Sequence, residues 1–589
     1  MRNVNHRLSL FLSYFLWSTL YFIYPTQRVL GGSHRPIFVC SFCFSSTARS
    51  LPSRFHSTMG ETDRLLHSAK AAPRDDFSGG GTQEREIQSN TELPYLGNIN
   101  GNEPEKTKPD NPSMVIFCLS CITFVSCYLG GLVTVCVPQI ARDLHIDKGM
   151  ELWPVSMYAL STGCTLLIFG AVADAVGSRL IFLLGCFFQS IFCMACGLSE
   201  NGTQLVVFRV FSGLATAMCL PTAMSIVSEN FAPGKLRNLA FSFIGGGQPI
   251  GFGLGMLVGG VCADTIGWRW GFYTAAMANT VAFLLSWWQL PRPRGSGINW
   301  DLFFFGIDWL GAIVVSAALA LLSLALAITT ADVHNAGKPS TIAYYTVSIV
   351  LLVVFVVWQE YQERRGKPTL IRNSLWKNIS FSSICINVFA IWGAFNGFEQ
   401  IINFFFQNVQ EISVLETALR FIPTPITGLL SALVTGMVLH RIRADAIINI
   451  TIMISAISPL IMALVNPSWT YWRCAFIAIC LNSIAADSLF TVSNILIADM
   501  FPPETRGLAG GVFNTFSQIG KSFGLTFVEL IANVVSDQQA SGEERYQPDG
   551  YMVGYRASFW FLFAVNIFSL GVGFIGLRKV GNIGKKHDQ

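Results

Sequence analysis

Charge is what this sequence has little of. Only 13% of its 589 residues are Asp, Glu, Lys or Arg, about half the share in a soluble globular protein. That excludes an ordinary soluble domain, and a formal net charge of +4 is too small and too dispersed to suggest a nucleic-acid partner. A disulfide framework is lacking as well. The 15 cysteines are odd in number and fall mostly inside apolar runs. The C-x-x-C spacings at Cys40/Cys43, Cys118/Cys121 and Cys193/Cys196 have no partner ligands for a metal or redox role. In the last two, cysteine reads as a small apolar packing residue. No nucleophile–base pair and no metal-ligating constellation can be assembled, so no enzyme activity, metal or cofactor is expected.

What is present is apolar length. Hydrophobic residues make up 52% of the chain, the mean hydropathy is +0.48, and many runs reach the roughly 20 residues that a helix needs to cross a bilayer. Fourteen such segments can be read, the first from about Met114 and the last ending near Leu577. An even number places both termini on one side. Lys and Arg concentrate in the loops of that same side, which makes it the cytosolic one. Before the first segment, residues 1–110 read as an N-terminal extension and disordered cytosolic tail. Residues 1–58 are taken as a gene-model extension with Met59 as the working start. The alternative is an additional anchor formed by Leu8–Tyr24. Asn201-Gly202-Thr203 is a glycosylation sequon in an outer loop, too short for ready use.

An internal repeat organises the rest. VSENFAPGKLRNLAFSF from Val227 resembles ADMFPPETRGLAGGVF from Ala498, pairing Phe231 with Phe501 and Pro233 with Pro503. After a one-residue offset, Arg237 pairs with Arg506, Gly251 with Gly520 and Gly255 with Gly524. Parallel repeats of this kind mark transporters. They imply two six-helix bundles, 111–300 and 377–577, with an inserted two-helix segment and cytosolic loop at 301–376 and a cytosolic tail at 578–589.

Four stretches carry a family resemblance: GAVADAVGSR (170–179), FRVFSGLATA (208–217), IDWLG (307–311) and FFQNVQEISVLETALRFIP (405–423). The chain resembles the fungal 14-span drug:proton antiporter branch of the major facilitator superfamily across roughly residues 111–580. The resemblance implies an all-α polytopic membrane protein, two six-helix bundles plus two inserted helices, fourteen transmembrane helices in all. It implies a secondary active transporter that exports a small organic compound, a drug, toxin or metabolite, by alternating access, with protons as the coupling ion. The expected setting is the bilayer of the plasma membrane, ahead of the vacuole, with the chain a monomer. Two features depart from the branch. Span 1 has no acid before Cys136-Val137-Pro138, and span 5 reads GGGQPIGFGLG where Gly-Pro is usual. They leave open a second reading, a facilitator or low-affinity transporter of a small polar solute such as ammonium or boric acid.

The site residues follow. Gly170, Asp174, Gly177 and Arg179 form a gating loop between spans 2 and 3, with Asp174 expected at the N-terminus of span 3, where a helix dipole favours an acid. The alternative is a helix cap. Arg209, with Gly213, is expected in a buried network of span 4 or else snorkelling to the interface. Gly245, Gly247, Pro249, Gly251 and Gly255 make span 5 a hinge or a bundle interface, with tight static packing as the alternative. Charged groups inside spans are functional hypotheses by default. Asn396, Glu399, Gln400 and Asn403 form a polar stripe in span 9, read as a substrate or proton pathway or as an interhelical seam. Asp487 and Lys521 join that pathway, or neutralise one another as a buried pair.

Overall fold

The computed structural model describes residues 111–147, 150–231, 235–291, 300–331, 333–439, 441–501, 503–539 and 548–578. The extension 1–110 and residues 579–589 of the tail lie outside them. The described residues are helical, with no strand among them. The long helices are α1 (Pro112–Asp143), α2 (Trp153–Val176), α3 (Ser178–Gly197), α4 (Gly202–Asn230), α5 (Lys235–Thr265) and α6 (Arg269–Gln289). After them come α7 (Trp309–Ala331), α8 (Pro339–Arg364), α9 (Ile379–Phe404) and α10 (Pro423–Val438). The series closes with α11 (Ala444–Ala463), α12 (Ala475–Met500), α13 (Pro503–Gln539) and α14 (Pro548–Gly576). A π-helical turn, Phe405–Val409, and a short helix, Val414–Arg420, connect α9 to α10.

Local chemistry sets the boundaries. Proline opens α1, α8 and α10, where its missing N–H costs nothing. The side chains of Asn201, Asn378 and Ser413 accept first-turn N–H groups of the helices that follow them. Gly177, at φ 109°, ends α2 and starts α3 in a conformation that other residues rarely adopt.

Among the described residues, thirteen helices are long and apolar enough to cross a membrane, counting Val414–Val438 as one. The expected fourteen is therefore not reached on this measure. The long helix that falls short is α6, whose mid-helix Asn279 lowers its hydropathy. That residue is half-satisfied inside the protein: its Nδ2 donates to the Cys186 carbonyl and to Ser190 Oγ, at 2.7 and 2.9 Å, while its buried Oδ1 has no partner among the described residues.

The packing repeats in two halves. In the first half α1 packs on α5 and α6, α2 on α4, and α3 on α4 and α6. In the second, α9 packs on α13 and α14, α10 on α12, and α11 on α12 and α14. Each pair in the first set has its counterpart, eight helices later, in the second. The inserted α7 and α8 pair with each other, and α7 also touches α2 and α13.

The apolar cores show where the halves are joined. At the Asp143 end of α1, one buried cluster draws on both halves, including Leu132, Phe272, Phe398, Phe406 and Leu525. At the Pro112 end the cores are separate. One holds Val115, Phe182 and Val227 of the first half. The other holds Phe381, Leu489 and Phe513 of the second, with Leu167 and Ile168 of α2 packed against it. The halves thus share a core at one end and part at the other, apart from the contact of α2 with the second-half core.

Candidate functional site

At the joined end, side-chain amides of α9 and the π turn reach across to the backbone of α1. Gln400 Nε2 and Asn403 Nδ2 both donate to the Thr134 carbonyl, at 3.4 and 2.8 Å. Gln407 Nε2 donates to the Val135 carbonyl at 2.8 Å and to Asn403 Oδ1 at 2.8 Å. The Thr134 carbonyl is available for a physical reason. Its helical partner four residues on is Pro138, which has no N–H to give. Further links join the halves nearby. Ser156 Oγ meets Ser522 Oγ at 2.9 Å and Thr526 Oγ1 at 3.1 Å. The Leu152 N–H donates to Glu529 Oε1 at 3.2 Å, and the Leu415 N–H to Asp264 Oδ2 at 2.9 Å. Each such bond has a net worth of about 0.5–1.5 kcal/mol, so the seam holds firmly as a set yet is breakable.

The stripe expected on α9 is therefore divided. Gln400 and Asn403 belong to the seam, while Asn396 donates to its own helix at the Trp392 carbonyl. Glu399, 1% exposed, points into the second half. Its Oε1 accepts from Asn482 Nδ2 at 2.9 Å and from Thr424 Oγ1 at 3.5 Å, and its Oε2 has no partner. No basic side chain lies within ion-pair distance of it among the described residues.

Asp487 and Lys521 stand midway along α12 and α13, and both are half-buried. They do not form the ion pair that the sequence invites. Lys521 extends toward α1, where a Cβ on Gly130 would lie 3.8 Å from its Nζ. Asp487 instead packs on α10, where Gly428 leaves the space that its carboxylate fills. Both act electrostatically on Cys127, midway along α1. The pair is thus split across the meeting of the halves, with a half-buried acid and base facing a region also bordered by α1.

Arg209 is buried, at 1% exposure, so the snorkelling alternative is set aside. Its Nε donates to the Pro154 carbonyl at 3.0 Å and its guanidinium lies 4.1 Å from the Tyr158 ring centroid. Its two terminal nitrogens have no hydrogen-bond partner among the described residues. Gly213 lets α4 approach Ser161 and Tyr158 of α2.

The loop at 170–179, read from the sequence as a gate or a helix cap, sits at the parted end. Asp174 falls in the last turn of α2 and not at the start of α3, so the helix-dipole support expected for it is absent. It is exposed, and the charge that acts on it is that of Glu229. Ser178 Oγ donates to Glu229 Oε1 at 2.8 Å. Arg179 donates to the Leu290 and Trp287 carbonyls at 3.1 and 2.9 Å, holding the C-terminal end of α6. Gly170 faces Pro221 of α4. On α5, Gly247, Gly251 and Gly255 face α1, while Gly245 faces open space. Pro249 lies inside the helix. Asn201 is exposed and its Oδ1 caps α4.

Sequence reasoning missed most of the seam, Gln407 and Glu529 among it. Glu529 is a lone acid in an apolar helix, and the rule that singled out Glu399 finds it too. Gln407 had no comparable signal, because its role depends on the Val135 carbonyl of α1 lying alongside.

Residues 119–525 match the Major Facilitator Superfamily. The chain is 34% identical over 518 residues to MFS-type transporter 1 of Pyricularia oryzae, covering 80% of this chain and 84% of that one. It is 26% identical over 427 residues to the low affinity ammonium transporter of Saccharomyces cerevisiae, covering 70% and 81%. With efflux pump terJ of Aspergillus terreus it shares 25% identity over 443 residues, covering 74% and 81%. The fold is also that of a bacterial homologue of the human lysosomal transporter Spinster in its inward-facing, unoccupied conformation, with a TM-score of 0.56, 16% identity, and coverage of 80% of this chain and 97% of that one. The chain belongs to the major facilitator superfamily. It is an integral, multi-pass membrane transporter of a small-molecule substrate.

Proposed function

We propose that this transporter exports a small organic compound in exchange for protons, by rocking residues 111–300 against 377–577 about a central site. The inserted segment 301–376 accompanies them, and α6 serves as the fourteenth span. Both termini face the cytosol, the membrane is the plasma membrane, and the working unit is a monomer. In that orientation the parted end faces the cytosol and the joined end faces outward, as an exporter awaiting cargo requires. The observation that carries the reading is the separation of Asp487 from Lys521. An acid and a base held mid-membrane without neutralising each other can each engage a ligand or a proton, and charge so placed is costly unless used. Glu399, a buried carboxyl with one oxygen unpartnered, is the second acidic candidate for carrying the coupling proton. Kinship to an efflux pump supports the direction of transport.

Kinship to an ammonium transporter favours a second reading, a weakly coupled pathway for a small polar solute. Proteoliposomes separate the two. Export predicts substrate flux driven by an imposed pH gradient and uncoupled by Glu399→Gln or Asp487→Asn. Flux indifferent to the gradient and to both substitutions rejects coupling at those residues and leaves the facilitator.

A further inference from the structure

At the joined end, the N-terminus of α2 has no cap of its own. Its N-cap residue is Leu152, whose side chain makes no capping bond, and its first turn contains no acid. The first N–H groups of a helix need acceptors, and its positive end favours a negative charge. Both needs are met from the other half of the protein. Glu529 of α13 accepts the Leu152 N–H at 3.2 Å while being only 4% exposed. A helix of one half is thus capped by a buried carboxylate of the other.

This carboxylate is not sealed off. Glu529 borders a cavity of 160 Å³ together with Pro138, Phe404, Asn408 and Asn533, large enough for several water molecules. Arg142, Asn408 and Tyr551 line both this chamber and a wider vestibule of 690 Å³. The vestibule carries Asp143, Asp264 and Glu411 against the single base Arg142, a balance that draws cations inward. The titratable and charged groups facing Glu529 are Arg142 of α1, Glu151 before α2, and Tyr551 and Tyr555 of α14. The chamber residues from α9, and the other chamber residues of α13, contribute none.

We propose that Glu529 is a proton-operated clamp on the outer gate, an inference that rests on the proton-coupled reading above. A proton from outer water binds the carboxylate through the chamber and forms a neutral carboxylic acid. No covalent bond of the protein breaks. The negative charge at the α2 N-terminus disappears, the Leu152 N–H loses a charged acceptor, and the two halves are released at this end. Entry of the outer proton and opening of the outer gate then become one event.

The test uses the full chain in proteoliposomes, with Asn533→Cys in the chamber as a reporter and Ser468→Cys in an exposed loop as the reference that cancels thiol titration. A membrane-impermeant maleimide is applied from outside at pH 5 and pH 8. The normalised labelling rate of the reporter is expected to rise about tenfold at pH 5. With Glu529→Gln it is expected to be high at both pH values, and with Glu529→Asp, the control should the amide fail to fold, the pH response returns. A reporter rate indifferent to pH, or a pH response unchanged by Glu529→Gln, overturns the clamp. Driving transport in the same vesicles with a pH gradient tests the coupling reading separately, since flux that ignores the gradient fails that reading whatever the labelling shows.

Discussion

Gly251 of α5 lies so close to Phe124 of α1 that a Cβ on it would collide with the Phe124 carbonyl oxygen, and Gly520 of α13 stands in the same relation to Phe389 of α9. The next repeat pair behaves alike, with Gly255 against Tyr128 and Gly524 against Gly393. The glycines matched along the sequence therefore perform one task twice, letting the fifth helix of each half touch the first. Gly251→Ala and Gly520→Ala are each expected to destabilise the protein by about 1–3 kcal/mol, the usual cost of overpacking. Gly245→Ala, which meets open space, is expected to leave the unfolding midpoint unchanged. Thermal unfolding in detergent checks all three. Equal midpoints would mean that these contacts are not tight.

Those glycines also mark how far the sequence could be read. The repeat, the long apolar helices and the exceptional charges were legible, because each is a local departure from an apolar background. Partnerships between distant helices were not. Asp487 and Lys521 looked like a pair, since neutralisation is the simplest way to bury two opposite charges, but Gly428 and Gly130 give each a place on a different helix. Asp174 reads as the approach to span 3 because the apolar run of span 2 ends near residue 172, whereas α2 continues past it to Val176. The acceptor role of Thr134 required knowing both that Pro138 continues the helix and that α9 lies alongside.

The separation of Asp487 from Lys521 changes what substitution there should do. Removing one partner of a true buried pair costs about 3–5 kcal/mol. Here neither neutralises the other, so Asp487→Asn and Lys521→Met are each expected to shift stability by less than about 1 kcal/mol. Each is also expected to reduce transport by about tenfold or more, the loss of one charged contact to a ligand. Combining them should not restore activity. Unfolding midpoints and initial flux rates decide the matter, and rescue by the double variant would reinstate the pair.

The seam to α1 predicts a change of population. Asn403→Leu and Gln407→Leu remove the amides that meet the Thr134 and Val135 carbonyls, at a cost of about 1–3 kcal/mol where a carbonyl is left buried. That loss falls on the joined state alone. Spin labels at Glu200→Cys and Ser468→Cys, one on each half at this end, should report longer distances in both variants. Unaltered distances would make the seam incidental to the gate.

Asp174 offers the corresponding test at the parted end. It is exposed, and the charge that acts on it is the like-signed Glu229, so among the described residues nothing in this conformation rewards its charge. An acid kept without reward in one state is explained if the other state supplies the partner, and closing the parted end brings the second half toward it. Asp174→Asn should therefore leave folding and trafficking intact while lowering transport by about ten- to a hundredfold, the worth of one charge-assisted hydrogen bond at about 1.5–3 kcal/mol. Fluorescence-detected size exclusion and surface labelling report the first, initial efflux rates the second. The same substitution should leave the clamp at Glu529 responsive to outer pH, because the two devices act at opposite ends. A variant that fails to reach the membrane would make Asp174 a structural residue of the α2–α3 turn, and a variant that transports normally would remove it from the gate.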